Sequence, residues 1–240
     1  MGKTSRLIGL LAAAVTLSLG LVACGDDSDS GGSEGGAKGE IKVGAFNFPE
    51  SVLVANIYAD ALNKAGYKAT VTQLTTREIV EPALQKGDID VVPEYAATLA
   101  TFLSGKVEGK GAKDPSSSDL DTTVQNLTTL GGKVGLVFGK PSTAQDQNAF
   151  AVTTAFSDKY GVKTLSDLAA KCSGAATVLG GPPECPQRPK CQQGLVSTYN
   201  FQAGKFVSLD AGGPLTKTGL KQGTVSVGLV FSSDSALAAG

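Results

Sequence analysis

Two hydrophobic rhythms take turns along this chain. Ile41 to Phe46 reads as a short strand. Pro49 then falls on a first helical position with Glu50 behind it, and Val52, Leu53, Ile57, Ala61 and Leu62 recur at helical spacing up to Gly66. Ala69 to Leu74 alternates like a strand. Thr75 and Glu78 have capping-box spacing before a helix that ends at Gly87, and Pro82 inside it implies a kink or a later start. Ile89 to Val92 reads as a strand and Ala96 to Leu103 as a helix. Gly105 to Ser118 reads as a polar loop, Leu120 to Leu130 as a helix, and Lys133 to Phe138 as a strand.

The second half repeats the rhythm. Ala149 to Thr153 is a predicted strand, Thr164 and Asp167 open a helix with capping-box spacing, and Ala176 to Leu179 is a buried strand. Gln192 to Tyr199 is helical and Lys205 to Leu209 extended. Pro214 to Gln222 is helical and Val225 to Phe231 a strand. Alternating strands and helices predict an α/β fold with mostly parallel sheets covered by helices. There is also an internal echo. ALQKGDIDV (83–91) and GLKQGTVSV (219–227) share a helix-Gly-strand grammar, and an aromatic follows each, Tyr95 and Phe231. Two similar lobes would then face each other across a cleft, with ligand at the carboxyl ends of the strands.

The amino terminus is an address. Lys3 and Arg6 precede an apolar run from Leu7 to Val22, which is short for a permanent span. Leu21-Val22-Ala23-Cys24 resembles a bacterial lipobox, so residues 1–23 read as a lipoprotein signal peptide and Cys24 as the lipidated residue. Residues 24–40 are Gly-, Asp- and Ser-rich and read as a flexible tether. The expected localisation is export, with a lipid anchor at the outer face of the cell membrane.

Composition removes whole classes of function. The 240 residues include no His and no Trp, 6% are aromatic, and the formal net charge is −1. Residues 41–240 carry 18 basic and 17 acidic side chains. Without a basic stripe the chain is not expected to bind nucleic acid. Without His, every Ser-His-Asp and Cys-His scheme and every His-ligated metal site is excluded. Glu50 and Glu94 are the best-placed carboxylates for a general base, and helix capping explains both. No phosphate-binding Gly loop is present. No enzyme, cofactor or metal is expected.

Three thiols follow the lipidated one. Cys185 and Cys191 flank the Pro-rich CPQRPKC loop and are the expected disulfide in an exported protein; pairings with Cys172 and three free thiols are the alternatives. Arg188 lies inside that loop, where its planar fork would be held toward a carboxylate or would simply be solvated. Arg77, beside Glu78 and Glu81, reads as a surface ion-pair partner.

Five stretches carry a family resemblance: IKVGAFNFPES (41–51), LQKGDIDVVPEYAATL (84–99), DQNAFAVT (146–153), GGPPECPQRPKCQQGL (180–195) and LDAGGPLTKTGLKQGTVSVGLVFSSD (209–234). In order along the body, they resemble the substrate-binding lipoproteins of quaternary-amine ABC importers, which take up glycine betaine, choline and carnitine. The resemblance implies a two-lobed type II periplasmic-binding fold, with lobe one at 41–140 and lobe two at 141–234. Residues 235–240 would begin a truncated return to lobe one. It also implies an aromatic cage, because a trimethylammonium group has no N–H to donate and is recognised by ring faces.

Carried over by position, Tyr95 matches a cage ring and Thr98 a hydroxyl contact. Phe150 stands where a cage Tyr is common, Asn148 is the polar group two residues before it, and Arg188 matches a carboxylate-binding Arg. Tyr199, Phe231 and Phe46 are candidates for the remaining rings. Phe46 stands where some members place a Lys, and Ser51 where others place Gln. Implied partners are a small quaternary amine and a membrane permease, with the chain itself monomeric. Rival readings are a surface lipoprotein that binds only proteins, a truncated non-binding remnant, and an exported hydrolase.

Overall fold

The computed structural model describes residues 38–109 and 111–237. The residues read as a signal peptide, Cys24 and nearly all of those read as a tether lie outside the described residues.

The first sheet pairs β1 (Glu40–Ala45) with β2 (Lys68–Gln73) in parallel, joined by helix α1 (Pro49–Lys64). Three helices follow: α2 (Arg77–Lys86), α3 (Ala96–Glu108) and α4 (Leu120–Gly132). The second sheet has the order β3-β6-β4-β5, from β3 (Asn148–Ala151), β4 (Gly174–Gly181), β5 (Ala203–Ser208) and β6 (Val227–Phe231). Strand β4 runs parallel to both neighbours, and β3 runs antiparallel to β6. Helices α5 (Thr154–Tyr160), α6 (Leu165–Cys172), α7 (Gln192–Tyr199) and α8 (Pro214–Lys221) complete this half.

Each sheet has its own core. Val43 and Ala45 of β1 pack on Ala55 and Ala59 of α1. Leu99 and Leu103 of α3 meet Leu127 and Leu130 of α4. In the second half Leu168, Leu179, Leu195, Phe201, Val227 and Leu229 form one buried cluster.

The internal echo holds at the level of single hydrogen bonds. Gly87 (φ 77°) and Gly223 (φ 72°) both end their helices in the left-handed region that glycine tolerates. The N–H groups of Asp88 and Ile89 reach back to the Ala83 carbonyl, and those of Thr224 and Val225 to the Gly219 carbonyl. Asp90 N–H then donates to the Lys42 carbonyl, as Ser226 N–H donates to the Val178 carbonyl. The side chains return the contact. Asp90 accepts from Lys42 N–H at 2.7 Å and Ser226 from Val178 N–H at 3.2 Å. Even the close approaches match, since a Cβ on Gly44 would strike Ile89 and one on Gly180 would strike Val225.

Several expected elements differ. Residues 89–92 contribute one bridge, Val43 to Val91, rather than a strand, because Pro93 has no N–H with which to continue a ladder. Residues 133–138 are not a strand either. Val134, Leu136 and Phe138 do point one way, but they pack on the α3–α4 pair rather than pairing with a strand. Helix α3 runs on to Glu108, so the polar loop begins later than Gly105. The capping box at Thr75 does not form: the N-cap of α2 is Thr76, without a side-chain bond, and the helix continues through Pro82. Helix α5 was not predicted, although Thr153 caps it and Gly161 ends it. The Thr164–Asp167 capping box forms as expected.

Candidate functional site

An open cleft of about 1800 Å³ is lined from both halves of the fold. Its aromatic end is built by three chain segments that the fold brings together. Phe48, the extended N-cap residue of α1, is held between β1 and the Pro49 start of the helix. Tyr95 is the N-cap residue of α3, and Phe231 ends β6. The Phe48 centroid lies 5.9 Å from Tyr95 and 5.1 Å from Phe231, at tilts of 41° and 36°. Gly212 (φ 66°) supports this corner, because a Cβ there would meet both the Phe231 ring and the Val230 backbone at 3.2 Å.

Phe48 was not singled out from the sequence. Its signal was weak, since a Phe before a helix-starting Pro reads as ordinary packing. Phe46, which was singled out, is 3% exposed and stacks on Phe48 at 6.0 Å, with the Arg77 guanidinium 5.0 Å over its ring. It backs the cluster from the core.

Carboxylates surround the Tyr95 hydroxyl. It donates to Glu50 at 2.6 Å. Burial, then this bond to Glu50, push the phenol far above its ordinary value. The Ser233 hydroxyl reaches both Glu50 and Asp146, with one proton to donate between them. Burial, then the Glu50 carboxylate, hold Asp146 above the ordinary aspartate value, against the lowering effect of the Ser233 bonds. Thus Glu50 of the first half and Asp146 and Ser233 of the second meet at the aromatic corner.

Arg77 is not the surface partner expected from its neighbours. Its Nε and Nη2 bond both oxygens of Glu94 at 2.6 and 2.8 Å, and the two side chains are 10% and 12% exposed. Glu94 also accepts the Tyr95 N–H at 2.7 Å, which fixes the start of α3. Glu81 pairs instead with Lys106 at 2.5 Å.

The remaining candidates spread along the cleft. Thr98 lines it from the first turn of α3. Asn148 sits opposite Phe231 in the β3–β6 register, and its side-chain amide donates to the Lys190 carbonyl at 2.9 Å. Phe150 is half-buried against the second core, and Tyr199 is partly exposed at the end of α7. Neither Phe150 nor Tyr199 joins a ring pair among the described residues. Cys185 and Cys191 are joined, and Cys172 is free and buried. The closed loop holds Arg188 and Lys190 at the cleft wall, where Arg188 meets Glu78 and Lys190 meets Asp114.

Burial of Asp114 acts to raise its carboxyl. Bonds from Lys190, Ser116 and Thr101 outweigh it and hold the group down at about 2. A depressed carboxylate stabilises the fold above its unfolded value of 3.8, and that contribution is lost as pH falls toward 2. Acid titration of thermal stability is therefore expected to show a loss between about pH 4 and 2. Asp114→Asn should shrink that loss while lowering stability at neutral pH. An unaltered acid limb would refute the assignment.

Chemically, the cleft offers ring faces and carboxylates at one end and a guanidinium on its wall. Among the described residues no group of three or more His, Cys, Asp or Glu side chains is placed to hold a metal ion. Residues 39–239 match the protein family described as the substrate binding domain of the ABC-type glycine betaine transport system. This chain belongs to that family.

The family is one of substrate-binding domains of transport systems and not an enzyme family. The chain is 26% identical over 190 residues to a glycine-betaine-binding protein of Pseudomonas aeruginosa, covering 75% of this chain and 58% of that protein. It is 25% identical over 210 residues to the glycine betaine-binding protein YehZ of Escherichia coli, covering 85% of this chain and 67% of that one.

Two of the solved structures that share this fold illustrate the likeness. A glycine betaine/carnitine/choline ABC transporter structure superposes with a TM-score of 0.51 at 21% identity, over 83% of this chain and 70% of its own. Lactococcal OpuAC, in its closed-liganded form with glycine betaine, gives 0.51 at 15% identity, over 83% and 67%. Among the described residues no helix of this domain is long and apolar enough to cross a membrane.

Proposed function

We propose that this domain captures a quaternary ammonium osmolyte, glycine betaine or choline, in an aromatic cage and delivers it to the permease of an ABC importer. The observation that carries the reading is the convergence of the Phe48, Tyr95 and Phe231 rings in a cleft walled by Arg188. Ring faces attract a cation that cannot donate a hydrogen bond. Glu50 and Asp146 add negative potential at the same corner, and Arg188 is the complementary group for a carboxylate. A zwitterion such as glycine betaine matches both ends.

Lobe one spans 41–140 and lobe two 141–234 in this reading. Ligand stabilises the closed arrangement because it touches both lobes there and one lobe in an open form. Lipid on Cys24 and a tether ahead of β1 keep the monomeric body at the outer face of the membrane, near its permease. The test is calorimetric titration of the full chain with glycine betaine, choline, carnitine and, as a secondary-amine control, proline. Saturable heat with a quaternary amine and none with proline is expected. A folded chain silent toward all three quaternary amines would overturn the reading.

A further inference from the structure

Arg188 is already engaged in this structure. Its Nη2 donates to Glu78 Oε2 at 2.9 Å and lies 2.8 Å from Oε1, across 110 residues of sequence. Its guanidinium carbon also lies 5.9 Å over the Phe102 ring, within reach of a cation–π contact. Glu78 sits in the first turn of α2, one residue after Arg77. The two neighbours differ in kind. Arg77 and Glu94 are a closed, buried bidentate pair, whereas Glu78 is 53% exposed and Arg188 19%. Exposed pairs of this type contribute little and separate readily.

We infer that Glu78 is a specificity-determining residue: an internal carboxylate that occupies Arg188 and must be displaced by a ligand carboxylate. This rests on the proposed binding of quaternary amines. A ligand with a carboxylate competes with Glu78 for the fork, whereas one without it leaves the pair intact. The pair thus sets the preference of the cleft between zwitterionic and purely cationic amines. Because Glu78 belongs to the first half and Arg188 to the second, the contact also struts the cleft, and loss of that strut acts on every ligand alike. The competition therefore reads out in the ratio of two affinities, where the common effect cancels.

The experiment compares the wild-type full chain with Glu78→Gln in titrations with glycine betaine and with a quaternary amine lacking a carboxylate, choline or tetramethylammonium. The ratio should shift toward glycine betaine by about two- to fivefold, the range an exposed ion pair supports. In an Arg188→Ala background the same Glu78→Gln change should leave the ratio where it was. An equal change for both ligands, or a loss confined to glycine betaine, would overturn the proposal; the latter would mean that Glu78 positions Arg188 for the ligand. Wild-type binding with an unshifted ratio refutes this inference alone, whereas a wild type silent toward every quaternary amine refutes the binding function and this inference together.

Discussion

Tyr95→Ala is expected to weaken binding of any quaternary amine at least about tenfold, with the fold intact by circular dichroism. One desolvated ring face contributes about 2 kcal/mol or more to a bound cation, and about 1.4 kcal/mol is a factor of ten. Tyr95 supplies more than its ring. Its hydroxyl anchors Glu50, and its position as N-cap residue of α3 sets it 5.9 Å from Phe48. Tyr95→Phe separates these roles, because it keeps the ring and removes the donor. Tyr95→Phe should retain most of the affinity. If Tyr95→Ala binds as the wild type does, the ring is packing and not a cage. If Tyr95→Phe is as poor as Tyr95→Ala, the hydroxyl rather than the ring face carries the interaction.

Glu94→Ala is expected to produce the largest loss of stability among the polar substitutions, about 3–5 kcal/mol by denaturant unfolding. The reason is the orphan it leaves. Arg77 is walled in against the Phe46 ring with its fork on Glu94, and removing the carboxylate strands a buried guanidinium. It also takes away the acceptor of the Tyr95 N–H at the head of α3. Replacing both partners with apolar residues, Arg77→Met with Glu94→Leu, should recover much of the loss, since no charge is then left unpaired. A cost below about 1 kcal/mol for Glu94→Ala would mean that the pair behaves like an exposed one.

The elements that were legible are those whose signals are local. Pro49 at the start of α1, the Thr164–Asp167 capping box and the span of α7 depend on neighbours within a turn or two. The echo between 83–91 and 219–227 was legible for the same reason, because each copy closes its own helix and hands on to its own pairing partner. Residues 133–138 show the limit. Their alternation is real, yet alternation only demands that one face be buried, and here helices rather than a strand supply the cover. The candidate site divides likewise. Tyr95 and Arg188 stand in motifs the resemblance could place, whereas Phe48 and the Glu78 contact belong to no local pattern.

By itself, the sequence determined the class of chemistry. A chain without His has the Ser-His-Asp and Cys-His schemes closed to it, and nearly balanced charge gives it no basic stripe for nucleic acid. It also determined most of the alternating elements, because these follow from short-range sterics and from which side chains avoid water. Only the tertiary structure decided which groups meet. Phe48, Tyr95 and Phe231 come from three distant segments, Glu94 chose Arg77, and Glu78 crossed 110 residues to reach Arg188. Such choices rest on distance and desolvation, which become defined only when the chain is folded and the rivals for each charge have been placed.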